Sequence, residues 1–135
     1  MVANIAVIED EPELRALYHL ALTSGGYEIA FMSGRVDQAV RAYEECTRKP
    51  VLVIMDVRLE DGSGIDAAIK ILSSDASARF LFATADSDQL SPVTVSGIVG
   101  ILQKPFSLKA FISAVNRAMI QQHRIQPAHE SPGYA

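Results

Sequence analysis

Between Pro50 and the turn-forming Glu60-Asp-Gly-Ser-Gly64 stands an unbroken apolar run, Val51-Leu-Val-Ile-Met55, stopped by a carboxylate at Asp56. A short, β-branched, wholly apolar run bounded by turn formers reads as a strand buried on both faces. Strands of that kind occupy the middle of parallel sheets, which need helices on either side. In open parallel sheets, ligands gather outside the carboxyl ends of the strands, so a carboxylate that ends the central strand faces the reactive edge. Asp56 is therefore the first candidate for a functional side chain.

The rest of the chain supplies the helices and further strands. Asn4-Ile-Ala-Val-Ile8 is a second apolar run, ending in Glu9-Asp10-Glu11. Pro12 and Glu13 then open a helix, since proline suits a first turn and acids there complement the macrodipole. Leu14, Leu17, Tyr18 and Ala21 repeat at helical spacing, and Gly25-Gly26 supplies the stop. Tyr27 to Met32 reads as a second strand, and Val36, Ala39, Val40 and Tyr43 mark a second helix. After the central strand, Ile65, Ala68, Ile69 and Leu72 give a third helix. Arg79 to Ala83 gives a fourth strand ending on Thr84, and Gly100 to Gln103 a fifth ending on Lys104-Pro105. A last helix starts at Ser107, a good N-cap, and is expected to bury Leu108, Phe111, Ile112, Val115 and Met119.

Strand and helix alternate with short connections, which calls for a doubly wound, five-stranded parallel α/β sheet with helices on both faces. The expected strand order is 2-1-3-4-5, the flavodoxin-like order, in which the first and third strands adjoin at the switch point and bring Asp10 and Asp56 together. Gln121 to Ala135 is polar, carries Pro127, Pro132 and Gly133 and lacks an apolar period, so a flexible tail is expected beyond a domain of residues 1–120.

At 135 residues the chain is long enough for one real core, burying roughly 65–70% of its unfolded surface. No apolar run approaches the ~20 residues of a membrane span. Glu9, Asp10 and Glu11 interrupt the first apolar stretch too early for a secretory signal, and a cytoplasmic location is expected. A net charge of −4 without a Lys/Arg stripe argues against this domain gripping nucleic acid directly. Cys46 is the single cysteine and reads as an inert thiol. His19, His123 and His129 lack metal-ligand spacing, and Phe80 and Phe82 read as core. Asp61-Gly62-Ser63-Gly64 lacks the Gly-Lys-Ser/Thr ending of a phosphate-cradling loop and reads as a turn into the third helix.

Four strands thus end in reactive groups: Glu9-Asp10, Asp56, Thr84 and Lys104. Taken singly, each has an ordinary reading: helix-capping acids, a turn acid, a strand-end hydroxyl, a surface cation. Gathered on one edge, the three carboxylates repel one another unless a cation sits between them. A hard divalent ion is implied, and Mg²⁺ suits oxygen ligands bridged to phosphoryl groups. Asp56 could then act as a nucleophile towards phosphorus, Lys104 could offset charge on the transferring oxygens, and the Thr84 hydroxyl could hydrogen-bond them. Lys104-Pro105 also invites a cis peptide that would help aim the lysine.

In their order along the chain these residues resemble those of response-regulator receiver domains, the phosphoacceptor modules of two-component signalling and phosphorelays. The likeness covers about residues 4 to 120. It implies that Asp56 is the phosphoacceptor, that Glu9, Asp10 and Asp56 hold Mg²⁺ together with the backbone carbonyl of Arg58, and that Thr84 and Lys104, in Lys104-Pro105-Phe106, complete the site. It implies a sensor histidine kinase or a histidine phosphotransfer protein as donor, and a downstream protein partner not named by the sequence. The family usually carries a switching aromatic three positions before the lysine, where this chain has Ile101. Arg58 and Asp86 stand where family members flank the path of attacking water, and their opposite charges could gate it. Between Thr84 and Gly97, Pro92 and the β-branched residues after it predict a short or irregular fourth helix.

Two other functions share parts of this pattern. A haloacid-dehalogenase-like, metal-dependent phosphatase would also form an aspartyl phosphate, but usually carries a second Asp where Arg58 stands. A flavodoxin-like binding protein would need a phosphate-binding loop after the first strand, where Glu9-Asp10-Glu11 would repel the anion.

Overall fold

The computed structural model describes residues 2–86 and 96–129. Its elements follow in the order β1 (Asn4–Ile8), α1 (Pro12–Ser24), β2 (Glu28–Ser33), α2 (Val36–Glu45), β3 (Leu52–Asp56), β4 (Arg58–Leu59), β5 (Gly62–Ser63), α3 (Gly64–Ser74), β6 (Phe80–Thr84), β7 (Ile98–Gln103) and α4 (Leu108–His129). The main sheet is parallel, in the order β2-β1-β3-β6-β7. That is the expected 2-1-3-4-5 arrangement, because β4 and β5 form only a separate antiparallel hairpin that overlaps the turn expected at Glu60 to Gly64.

Side-chain alternation along the central strands divides the core in two. Ala6, Ile8, Val53, Met55, Phe80 and Phe82 pack against Val36, Ala39 and Tyr43 of α2 and Ala67, Ala68 and Ile71 of α3. On the other face Ile5, Val7, Ile54, Leu81 and Ala83 meet Tyr18 and Leu22 of α1 and Phe111, Val115 and Ala118 of α4. Every residue of β1, β3 and β6 is buried, which is why these strands read as continuous apolar runs instead of alternating ones.

The helix ends follow local chemistry. Pro12 opens α1 and Gly25 caps it, with Gly26 in the left-handed region at φ 93°. Ser63 caps α3 by accepting from Ile65 N at 3.0 Å, and the Ser107 hydroxyl accepts from Ala110 N at 3.0 Å. The N-terminus of α2 is capped from a distance: Asp61 Oδ1, in the β4–β5 turn, accepts from Val36 N at 2.6 Å.

Some expectations need correction. Leu17 and Leu108 are 44% and 41% exposed, because the buried stripe of α1 runs through Tyr18 and Leu22 and that of α4 starts at Phe111. The last helix also does not stop near residue 120: its backbone is helical to His129, within the stretch read as a tail, while residues 130–135 lie outside the described residues. Most of the expected irregular fourth helix, residues 87–95, also lies outside them. No helix among the described residues is long and apolar enough to cross a membrane.

Candidate phosphoacceptor site

The strand registers bring the reactive groups together. Ile8 pairs with Met55, Asp56 with Ala83, and Thr84 with Gln103, so the residues at or just beyond these carboxyl ends share one edge of the sheet. The pairing continues past the strands themselves. Glu9 N donates to Ser33 O at 2.8 Å, and Lys104 N donates to Thr84 O at 2.7 Å. The backbone therefore fixes where Glu9 and Lys104 begin before their side chains interact.

Glu9 is only 1% exposed and Asp56 only 6%, whereas Asp10 is half-buried. One carboxylate oxygen from each of Glu9, Asp10 and Asp56 lies within 4.8 Å of the others. Lys104 Nζ reaches into the cluster, 3.1 Å from Glu9 Oε1 and 3.4 Å from Asp56 Oδ2. Glu9 Oε2 accepts from Glu11 N at 3.2 Å, and Asp56 Oδ1 accepts from Arg58 N at a long 3.4 Å. Burial, and then the charge of Asp56, push the Glu9 carboxyl up to about 7 against the pull of Lys104. Burial likewise raises Asp56, although Lys104 and the hydrogen bonds it accepts oppose the shift. For Lys104, burial lowers the ammonium pKa, but the contacts with Glu9 and Asp56 outweigh it and the net shift is upward.

Such a cluster is short of positive charge. Its donors are carboxylate oxygens, crowded and partly dehydrated, which is the chemistry of a hard divalent cation. The residues present therefore fit the implied ion.

The remaining predicted residues surround this centre. Thr84 is buried at the end of β6, where its hydroxyl accepts from Asp86 N at 3.1 Å and donates to Asp86 O at 3.2 Å. To reach a phosphoryl oxygen, the hydroxyl would have to give up its bond to the Asp86 carbonyl. Arg58 is exposed on β4, Asp86 is exposed beyond Thr84, and Ile101 is 47% exposed on β7. The Lys104–Pro105 peptide is cis, as expected, and Pro105 is exposed.

Sequence reasoning missed several supporting residues. Arg15 Nη1 donates to the Glu9 carbonyl at 2.8 Å, tying α1 to the acidic loop. Gly64 lets α3 start against the end of β3: a Cβ there would collide with the Asp56 carbonyl, while Gly64 N donates to Val57 O at 2.7 Å. A glycine inside an Asp-Gly-Ser-Gly turn was visible in the sequence, but not which backbone atom it had to clear.

The chain resembles known proteins. A family model described as "Response regulator receiver domain" matches residues 5–116. The chain is 27% identical over 119 residues to the chemotaxis protein CheY of Thermotoga maritima, covering 87% of this chain and 98% of that protein. It is 35% identical over 117 residues to the transcriptional regulatory protein PdtaR of Mycobacterium tuberculosis, covering 86% of this chain but 56% of that longer protein. Among solved structures, the response regulator TrrA from Thermotoga maritima, in complex with Mg(2+)-BeF, superposes with a TM-score of 0.76 at 25% identity over 87% of this chain and 99% of that one. These matches support neither the phosphatase nor the flavodoxin-like alternative.

Proposed function

The chain belongs to the response regulator receiver domain family of two-component signalling, and from that premise we propose that Asp56 is its phosphoacceptor. A carboxylate oxygen of Asp56 attacks the phosphorus of a phosphohistidine on a histidine kinase or phosphotransfer protein. The new O–P bond forms as the N–P bond breaks, and the imidazole nitrogen leaves with the electron pair. The observation that carries this reading is the placement of Asp56: it is buried, 3.4 Å from an ammonium, and clustered with the Glu9 and Asp10 carboxylates at the carboxyl edge of the sheet.

Glu9, Asp10, Asp56 and the Arg58 carbonyl would hold Mg²⁺, which when bound supplies charge neutralisation for the phosphoryl oxygens. Lys104 turns from Glu9 and Asp56 towards the transferred group, and Thr84 offers its hydroxyl. The domain, residues 1–120, then acts by changing its affinity for a downstream protein. Direct contact with nucleic acid is not its role, in keeping with a net charge of −4.

The test is incubation with acetyl phosphate and Mg²⁺ followed by intact mass measurement. Wild type should gain one phosphoryl mass, and Asp56→Asn should gain none. An adduct that persists on Asp56→Asn, or no adduct on wild type, would overturn the assignment.

A further inference from the structure

Glu9 is held through its backbone from two sides. Its N–H donates to Ser33 O at 2.8 Å, at the end of β2, and its carbonyl accepts from Arg15 Nη1 at 2.8 Å, from near the start of α1. Arg15 is half-buried, and a guanidinium–carbonyl bond of this length is charge-assisted and directional. The guanidinium has a second neighbour. A methyl group on Gly34 would stand 2.9 Å from Arg15 Nη1 and 3.1 Å from the Asp10 Cα, so the turn after β2 leaves only the room that the guanidinium needs beside the Asp10 backbone.

The acid that follows this carbonyl is the one whose side chain nothing else fixes. Glu9 accepts from Lys104 Nζ and Glu11 N, and Asp56 accepts from Arg58 N and pairs with Lys104. Among the described residues, no donor is bonded to the Asp10 carboxylate. Its place therefore follows from its backbone, and the Glu9 carbonyl belongs to the peptide that leads into it. Mg²⁺ requires near-octahedral oxygens at about 2.0–2.1 Å, so a ligand whose backbone shifts binds it less well. The charge of Arg15 works the other way, since a cation beside the acidic turn repels Mg²⁺. Position and charge thus give opposite signs for the effect of removing it.

We propose that Arg15 is a positioning residue for the metal site: its guanidinium, lodged between Gly34 and the Glu9 carbonyl, fixes the Glu9–Asp10 peptide and so sets where the Asp10 carboxylate meets Mg²⁺. The inference rests on the reading above in which Glu9, Asp10 and Asp56 hold the ion. It makes position outweigh charge, so that Mg²⁺ binds more weakly when this cation is taken away.

The experiment titrates wild type, Arg15→Met and Gly34→Ala with magnesium chloride alone, following the backbone amides of Asp10 and Asp56 by NMR, and melts each protein in EDTA. Methionine keeps an apolar stem and removes the donors, whereas Gly34→Ala drives the guanidinium off the Glu9 carbonyl with every charge in place. Both variants should bind Mg²⁺ about tenfold more weakly, equivalent to about 1.4 kcal/mol and within the range that loss of a metal ligand's outer partner costs. An unchanged dissociation constant in Arg15→Met would overturn the inference, and a melting temperature that falls alone would mark a structural contact only. Tighter binding in Arg15→Met would overturn it too, by leaving charge as the whole effect. Gly34→Ala reads the same contact from the other side, so wild-type affinity there would equally overturn it. A wild type that binds no Mg²⁺ would overturn the metal reading itself and this inference with it.

Discussion

Lys104 Nζ lies 3.1 Å from Glu9 Oε1, an ion pair that spans 95 residues of sequence and joins the segments following β7 and β1 at one buried carboxylate. The same ammonium serves Asp56 at 3.4 Å, so one cation offsets two acids that burial has deprived of water.

Lys104→Met should expose how far the site depends on that cation. Both acids lose their countercharge, which costs roughly 1–3 kcal/mol of stability in the presence of a chelator. Added Mg²⁺ should then raise the melting temperature of the variant more than that of wild type. Thermal unfolding of both proteins with EDTA and with excess Mg²⁺ checks this; equal gains would show that the ion and Lys104 do not share these acids.

Gly64 has no room for a methyl group, because its Cβ would run into the Asp56 carbonyl oxygen. Gly64→Ala should therefore lose about 1–3 kcal/mol through overpacking and displace the acceptor loop. Denaturant unfolding reads the first effect, and the yield of adduct from acetyl phosphate the second. A variant with wild-type stability and yield would contradict the close approach.

Arg58 and Asp86 are exposed beside the acceptor and the threonine. Exposed opposite charges add about 0–1 kcal/mol to stability where they pair, yet a guanidinium near the phosphoryl group can obstruct in-line water. Arg58→Asn should shorten the phosphoryl half-life and Arg58→Lys should shorten it less, where a tenfold change in rate needs only about 1.4 kcal/mol. Loss of phosphoryl mass over time in excess Mg²⁺ gives the comparison. Equal lifetimes for the three proteins would leave Arg58 with its backbone role alone.

Away from the site, Asp75 Oδ2 accepts from the Tyr43 hydroxyl at 2.6 Å and Asp75 Oδ1 from the Ser77 hydroxyl at 2.6 Å. The Ser77 and Tyr43 hydrogen bonds hold the Asp75 carboxyl below its ordinary range. A carboxyl lowered by folding contributes stability that is present above its unfolded pKa, about 3.9, and is lost as pH falls through its folded value. Asp75→Asn should be about 1 kcal/mol less stable than wild type at pH 6, and the gap should narrow below pH ~3.9. Urea unfolding at both pH values tests it; a gap that stays constant with pH would remove the carboxylate from the account.

Much of this was legible in the residues. The apolar run Val51–Met55 reads as a doubly buried strand because burial on both faces removes any need for alternation, and Leu52–Met55 are buried, as are all residues of β1 and β6. Their punctuation by Glu9-Asp10, Asp56, Thr84 and Lys104 pointed to the reactive edge, since parallel strands put all their carboxyl ends on one side. Leu17 and Leu108 misled because apolar character constrains burial only in one direction: a folded surface keeps many apolar groups, and helix phase against the sheet selects which ones go inside.

The parallel sheet, its strand order and the gathering of Glu9, Asp10, Asp56 and Lys104 at one edge were thus legible in the sequence alone, through local periodicity and turn chemistry. The tertiary structure decided which atoms meet: that Lys104 leans on Glu9 as well as Asp56, that α3 starts against the Asp56 carbonyl, that Asp61 caps α2, and that the Tyr18 hydroxyl has no partner among the described residues. Those facts depend on register and packing between segments far apart in the chain, and distance-dependent contacts of a few ångströms carry no signature in the local pattern of any one of them.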